Sequence, residues 1–160
     1  MGQVVTEAEL VEAVNADRAA GRTVAFANGC FDLLHVGHVR YLEGAAQEGD
    51  VLVVAINDDA SVRALKGSGR PVLAAEARAE LVAALRCVDY VTIFDESSAV
   101  NLVESLQPEV YAKGGDYEQG TGKPLPEREV VASYGGEVRI IPLVAGHSAS
   151  ELIRRVEREA

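Results

Sequence analysis

The sequence has few of the features that indicate an extracellular or membrane-bound protein. Its 160 residues include only two cysteines, too few for the disulfide framework of a small secreted domain. No apolar run approaches the ~20 residues that cross a bilayer as a helix. The N-terminal residues are acidic and helix-forming, without the basic and then apolar order of a secretory signal. We therefore expect a cytoplasmic protein that does not enter a membrane.

Basic residues are also scarce. Lysine and arginine number 15 against 25 acidic residues, which gives a formal net charge of −10. This balance argues against a nucleic-acid partner, because such proteins need basic patches. It does not exclude a phosphorylated ligand, since a few local cations, helix N-termini and a metal ion can bind phosphate in an acidic protein. The cations close to a candidate site therefore matter more than the total.

The chain contains neither a long low-complexity linker nor an internal repeat. Its length fits a single domain over residues 1–160, with an N-terminal helix within 1–22 and an α/β core over 23–160. Thr6 followed by Glu9 has the spacing of a capping box at the start of that helix. We expect the helix to pack on the core or to contact another subunit.

Short apolar runs alternate with helical patterns through the rest of the chain. Continuous apolar strands and intervening helices are typical of a doubly wound α/β fold, here with five parallel strands. The predicted strands are 23–27, 51–57, 88–94, 109–113 and 137–143. The predicted helices of the core are 37–49, 58–65, 74–85, 97–107, 127–135 and 148–159. Ligands of such sheets bind beyond the carboxyl ends of the strands, which places 28–38, 57–60, 95–98, 114–126 and 144–150 at the site.

The segment HVGH, residues 35–38, follows the first predicted strand and opens a helix. Gly37 lets a ligand approach the backbone, and the helix N-terminus supplies free N–H groups. His35 and His38 are three residues apart, so their rings share one side of the first turn. This arrangement suits a phosphate. A zinc pair, which would need further ligands, and simple packing of the two rings are the alternatives.

The stretch GCFDLLHVGHVRYL, residues 29–42, resembles the HxGH signature of the cytidylyltransferase-like nucleotidyltransferases. The resemblance extends over roughly residues 6–157. INDDASVRALKGSGRPV, AKGGDY and GHSASELI are similar to stretches of the branch that adenylylates heptose 1-phosphate, in the form that lacks a kinase domain.

The resemblance implies transfer of AMP from ATP to a sugar phosphate, D-glycero-β-D-manno-heptose 1-phosphate in that branch. The products are ADP-heptose and pyrophosphate, formed by direct in-line attack with Mg²⁺ accompanying ATP. A glycerol-3-phosphate or other polyol-phosphate cytidylyltransferase using CTP is the alternative within the same fold. A non-catalytic nucleotide-binding module is a third interpretation. The partners expected are thus ATP, a sugar 1-phosphate and a second copy of the chain in a homodimer.

The resemblance also implies roles for individual residues. His35, His38 and Lys66 would stabilise the charge that develops on the phosphates. The expected nucleotide-binding residues are Asn28, Cys30, Phe31, His35, Gly37, His38, Gly114, Asp116, Ser148 and Ser150. The expected substrate-binding residues are Asp32, Lys66, Arg70 and Tyr117. Asp32 would bind Mg²⁺ or the acceptor's hydroxyls, or else cap a turn while the phosphates alone hold the metal.

Two segments depart from the family pattern. Ala149 and Ser150 stand where the family usually has threonines, and the 120–127 segment is longer than usual, so its role and that of His147 stay open. Arg78 is expected to pair with nearby acids on its own surface, such as Glu76 or Asp89.

Overall fold

The apolar runs of the sequence form one parallel sheet with helices on both sides. The structure, a computed structural model, describes residues 1–117 and 123–160. The strands are β1 Gln3–Val4, β2 Val24–Gly29, β3 Val51–Asn57, β4 Tyr90–Phe94, β5 Val110–Gly114 and β6 Glu137–Ile141. The helices are α1 Glu7–Ala19, α2 Val36–Ala46, α3 Asp59–Lys66, α4 Ala75–Ala83, α5 Val100–Leu106, α6 Glu127–Ser133 and α7 Ala149–Glu159. A 3₁₀ turn, Gly115–Tyr117, follows β5.

The doubly wound parallel sheet is confirmed, but its strand count of five is corrected to six in the described residues. The order is β1-β4-β3-β2-β5-β6, and every neighbouring pair is parallel. The additional strand is β1, in which Gln3 and Val4 pair with Tyr90 and Val91 at the edge of the sheet. Two exposed residues carry no hydrophobic periodicity, so no sequence pattern indicated this strand.

The two faces of the sheet carry separate apolar clusters. α2 and α4 cover one face, with Leu42 and Val82 in its cluster. α1, α5 and α6 cover the other, with Leu10 and Leu102 in its cluster. All seven residues of β3 are buried because the strand is covered on both sides. This layering explains why its apolar run predicted the strand bounds directly.

The N-terminal helix begins at its predicted cap. The Thr6 backbone N–H donates to the Glu9 carboxylate at 2.8 Å, and the Glu9 N–H donates to the Thr6 hydroxyl at 3.3 Å. The helix occupies only residues 7–19 of the predicted 1–22 segment. Leu10 and Val14 are buried against the sheet, so α1 packs on the core.

The crevice for a ligand lies where the chain direction across the sheet reverses. The chain proceeds from β2 to β3 and β4 on one side, and the later β5 lies on the other side of β2. The segment predicted as a loop over 114–126 borders this crevice, and its residues 118–122 lie outside the described residues. In the part of the chain described, no helix has the length and apolar character needed to cross a membrane.

Candidate active site

The start of α2 holds the two histidines as a stacked pair. Their ring centroids are 3.8 Å apart and the planes differ by 27°. His35 is the N-cap, and its Nδ1 accepts from the Gly37 N–H at 3.1 Å. The Nδ1 of His38 accepts from the His35 backbone N–H at 3.3 Å. A neutral ring whose Nδ1 accepts carries its proton on Nε2, so the pair presents two stacked N–H donors.

Electrostatics keep both rings neutral at pH 7. Burial, followed by the neighbouring His35, lowers the pKa of His38 from 6.5 to about 4. Burial and the nearby His147 lower the pKa of His35. No acidic residue lies in the first turn of α2, so nothing in that turn offsets the positive end of the helix dipole. The site therefore offers an anion neutral N–H donors and a helix N-terminus rather than imidazolium charge.

Gly37 is required by the side chains around it. A Cβ at this position would lie 2.8 Å from Cε1 and 2.9 Å from Nδ1 of His35, and 3.3 Å from Cβ of His147. The absence of a Cβ at Gly37 therefore leaves space for the His35 ring, whose Nδ1 accepts from the Gly37 N–H. His147 is exposed but adjacent, which brings all three histidines of the chain to one place.

Asp32 joins the α2 loop to the segment between α3 and α4. Its carboxylate accepts from the Arg70 guanidinium at 2.8 Å and from the backbone N–H groups of Val72 and Leu73 at 2.7 and 3.2 Å. Burial would raise the pKa of Asp32, but these bonds, with Arg70 first, outweigh it and lower the pKa. Arg70 also donates to the Ser150 hydroxyl at 3.1 Å. Three residues expected in the substrate and nucleotide sites are thus linked directly.

Arg78 corrects one sequence expectation. Instead of pairing with Glu76 or Asp89 on a surface, its side chain is fully buried at 0% exposure. Its guanidinium donates to the carbonyl oxygens of Cys30, Asn57 and Leu73 at 2.6, 2.8 and 2.9 Å. It also pairs with the Asp59 carboxylate at 2.7 Å. One cation therefore fastens three loops that border the crevice.

Cys30 and Phe31 shape the loop between β2 and α2. Burial raises the pKa of the Cys30 thiol, and the charges of Lys66, Arg78 and Lys113 only partly oppose it, so no thiolate forms at neutral pH. Phe31 is buried with φ at 46°, an outlying conformation for a bulky residue, and its ring lies 5.1 Å from the His38 ring. Lys66 itself is exposed, and its positive charge contributes to lowering the pKa of both Cys30 and His38.

The remaining predicted residues lie at the other border of the crevice. The carboxamide oxygen of Asn28, in β2, accepts from the Tyr111 hydroxyl at 2.7 Å. Tyr117, in the turn after β5, has the ammonium of Lys113 4.4 Å from its ring centroid and that of Lys123 at 4.1 Å. Lys123 also pairs with Asp116. Gly114 ends β5, one residue after Lys113.

Ser148 has a local role. Its hydroxyl accepts from the Glu151 N–H at 3.1 Å and caps α7.

The structure places the residues expected from the sequence at both borders of the crevice, and it adds two residues there that the sequence did not indicate. Arg78 was misjudged because backbone carbonyls leave no trace in a sequence. Lys113 ended a predicted strand and had only the following KGGDY pattern to mark it.

No resident metal site is formed by the described residues. Within 1–117 and 123–160, no group of three or more His, Cys, Asp or Glu side chains is placed to hold a metal ion. Asp32, the carboxylate expected to bind Mg²⁺, is already engaged on both oxygens by Arg70 and by backbone N–H groups. The arrangement does not fit a protein-held cation without exchange of those bonds.

Comparison with known proteins places this site in a family. A family model described as Cytidylyltransferase-like matches residues 26–155, which include both histidines, Arg78 and the turn after β5. The chain belongs to the cytidylyltransferase-like family. The HxGH resemblance read from the sequence is therefore confirmed.

Relatives of this cytidylyltransferase-like chain are longer proteins. It is 50% identical over 143 residues to the Bifunctional protein HldE of Geobacter sulfurreducens, covering 89% of this chain and 29% of that one. It is 43% identical over 158 residues to the protein of the same name from Alcanivorax borkumensis, covering 98% and 32%. The chain thus spans about a third or less of the length of these curated relatives.

A solved structure is also similar. The crystal structure of the lipopolysaccharide core biosynthesis protein from Thermoplasma volcanium matches with a TM-score of 0.62 and 27% identity. The match covers 78% of this chain and 98% of that one. This likeness supports the parallel α/β sheet independently of the sequence patterns.

Proposed function

We propose that the protein transfers AMP from ATP to a sugar 1-phosphate, D-glycero-β-D-manno-heptose 1-phosphate, and releases pyrophosphate. The observation that carries the proposal is the pair of N–H donors of His35 and His38 at the start of α2. Direct in-line displacement at the α-phosphorus needs no protein nucleophile, only positioning and stabilisation of developing charge. Preorganised neutral donors at a helix N-terminus supply that stabilisation.

Different residues of the crevice would bind the two substrates. The histidine pair and Lys66 would bind the triphosphate. Asp32 and Arg70, in the loops on the β3 side of β2, would position the sugar phosphate. Arg78 would touch no reacting group and instead holds the loops in place through its backbone acceptors.

The choice of heptose rests on similarity. The KGGDY and LKGSGRP stretches resemble the heptose branch, and relatives named Bifunctional protein HldE are up to 50% identical. The similarity to a solved lipopolysaccharide core biosynthesis protein supports a product that enters a surface glycoconjugate. Because ATP is the substrate, we place the reaction in the cytoplasm.

Mg²⁺ would enter with the nucleotide. Since the described residues form no metal site, the phosphate oxygens of ATP would be its main ligands. Its role would be to offset phosphate charge in a protein whose own net charge is −10. Loss of turnover in excess chelator, restored by added Mg²⁺, is the expected result.

We also propose that the chain forms a homodimer. Leu143 and Val144 before α7, and Val156 on it, are exposed apolar residues, and α7 buries none of its residues. A second copy would cover this surface. Light scattering at micromolar concentration should give twice the mass of the chain, and a monomer mass there would refute the dimer.

Pyrophosphate release tests the proposed reaction. Each of the four common nucleoside triphosphates is supplied with and without heptose 1-phosphate, and glycerol 3-phosphate serves as the competing acceptor. We expect release only with ATP and heptose 1-phosphate together. Faster release with CTP and glycerol 3-phosphate would support the cytidylyltransferase alternative. Nucleotide binding without turnover on any acceptor would indicate a non-catalytic module.

A further inference from the structure

Lys113 is a buried lysine that the proposed reaction has not used. It lies near the carboxyl end of β5, beside the central strand β2, and is only 8% exposed. Tyr111, two residues earlier, packs in the cluster of the α5 and α6 face, whereas Ala112 packs in the cluster of the α2 face. Because side chains alternate along a strand, Lys113 belongs to the face opposite α2 and its histidines.

Among the described residues, the ammonium of Lys113 has no hydrogen-bond acceptor. Across residues 1–117 and 123–160, no hydrogen bond or salt bridge reaches its Nζ, and the Tyr117 ring at 4.4 Å is its one aromatic contact. Burial lowers its pKa to about 8 against the opposing charges of Glu127 and Asp116, while Lys123 adds to the lowering. Within the described residues, Nζ of Lys113 is not among the buried polar atoms that lack a partner, so the ammonium reaches the crevice although most of the side chain is buried. A largely buried lysine whose tip faces a cleft is typical of a binding site.

A second unused donor lies on the neighbouring strand. Asn28 follows Phe26 by two residues in β2 and so shares the face of Lys113. The Tyr111 hydroxyl fixes the Asn28 amide by donating to its oxygen. In the described part of the chain, the amide nitrogen makes no hydrogen bond. Lys113 and Asn28 therefore bring unused N–H donors to the crevice, next to the flat ring of Tyr117.

We propose that Lys113 binds the nucleoside part of the nucleotide substrate by donating a hydrogen bond to an acceptor atom of the base or ribose. The inference rests on the proposed function. The phosphate donors lie with α2 on the other face, and Asp32 and Arg70 lie on the β3 side of β2. The β5 border therefore remains for the nucleoside. A donor on a mostly buried side chain, with an aromatic ring beside it, suits a flat, weakly hydrated ligand better than a phosphate.

Two ligands distinguish binding of the nucleoside from binding of the phosphates. Calorimetry measures binding of α,β-methylene-ATP, which has both parts, and of tripolyphosphate, which has only phosphates. Lys113→Met should weaken binding of the analogue by about tenfold or more, the value of one hydrogen bond from a charged donor, and leave tripolyphosphate unchanged. Lys66→Met is the matched variant, and it should weaken both ligands because Lys66 is assigned to the phosphates.

The pH dependence gives a separate readout. The wild-type affinity for the analogue should fall as the pH rises through about 8 and Lys113 loses its charge, whereas Lys113→Met should show no fall in that range. The titratable groups that face Lys113 all remain in the variant. They are Glu127, Asp116, Lys123, Cys30 and Tyr117.

A spectroscopic measurement on the wild-type protein tests the proposal even if Lys113→Met fails to fold. The chain has only three lysines, at positions 66, 113 and 123, so ε-¹³C-lysine gives three resolvable signals. The signal that titrates near pH 8 should be Lys113, and the analogue should shift it in the wild-type protein while tripolyphosphate does not.

Four results would overturn the assignment. Unchanged affinity of folded Lys113→Met for the analogue, or an unperturbed Lys113 signal, would make the residue structural. Equal loss of both ligands would assign it to the phosphates. A folded wild-type protein that binds tripolyphosphate but not the analogue would contradict the proposed nucleotide reaction itself and the role of Lys113 with it.

Discussion

At the residue scale, the chemistry depends on two imidazoles that stay neutral. The Nδ1 of each ring accepts a hydrogen bond from a backbone N–H of the same short segment. This bond fixes the tautomer and leaves Nε2–H as the donor. Stacking at 3.8 Å is tolerable only because neither ring carries a full charge. The HxGH spacing predicted only that the two rings share one side of the turn, because that placement depends on local helix geometry.

The buried His38 predicts a loss of stability in mild acid. Its pKa is about 4 in the folded protein, below its ordinary value of 6.5. Between these values the unfolded state binds more protons, so the free energy of unfolding falls as the pH drops from about 6.5 to 4. This group has no effect on the pH dependence above 6.5. The fall attributable to it is at most about 3 kcal/mol.

Urea unfolding of the wild-type protein and His38→Asn tests this, since asparagine does not titrate. Between pH 7 and pH 4.5 the variant should lose about 2–3 kcal/mol less than the wild-type protein. Carboxylates contribute equally to both proteins, so the difference isolates the ring. Identical losses would mean that His38 is not held neutral by burial.

At the element scale, the first turn of α2 is built around Gly37. Gly37→Ala should keep the stability within about 1 kcal/mol, because alanine favours helix. It should nevertheless lower kcat by about tenfold or more, because the new Cβ would displace the His35 ring that the transition state needs.

Gly44, on the same helix, provides the matched control. A Cβ there would lie 2.7 Å from Cγ2 of Ile141, far from the histidines. Gly44→Ala should therefore change the melting temperature and spare kcat. Steady-state kinetics and melting curves on both variants decide the matter, and similar effects of the two substitutions on kcat would contradict the role given to Gly37.

Arg78 joins three loops through hydrogen bonds to their backbone carbonyl groups. Arg78→Met should lower the free energy of unfolding by about 3–5 kcal/mol, because it leaves buried carbonyl groups and a carboxylate without a donor. Arg86→Met, at an exposed arginine just after α4, should change it by less than about 0.5 kcal/mol. Urea unfolding measures both. A loss below 1 kcal/mol for Arg78→Met would show that the loops hold without it.

At the scale of the whole molecule, the fold was largely predictable because it follows from hydrophobic patterns. β3 matched its predicted bounds, since an apolar run covered on both faces has distinct ends. β1 was missed because an edge pairing of two exposed residues is decided by β4 and not by its own sequence. The Asp32–Arg70 link was also unpredictable, because it joins residues 38 positions apart. The burial of Arg78 was unpredictable because its acceptors include backbone carbonyl groups.

The central claim is that the histidine pair stabilises the transition state of AMP transfer, and steady-state pyrophosphate release tests it most directly. With ATP and heptose 1-phosphate, His35→Ala and His38→Ala should each lower kcat by about 10²–10³ with little change in KM, and the double variant should lose less than the product. Melting curves confirm that each variant is folded. Near-native kcat in folded His38→Ala, or unfolding of both single variants, would contradict the claim.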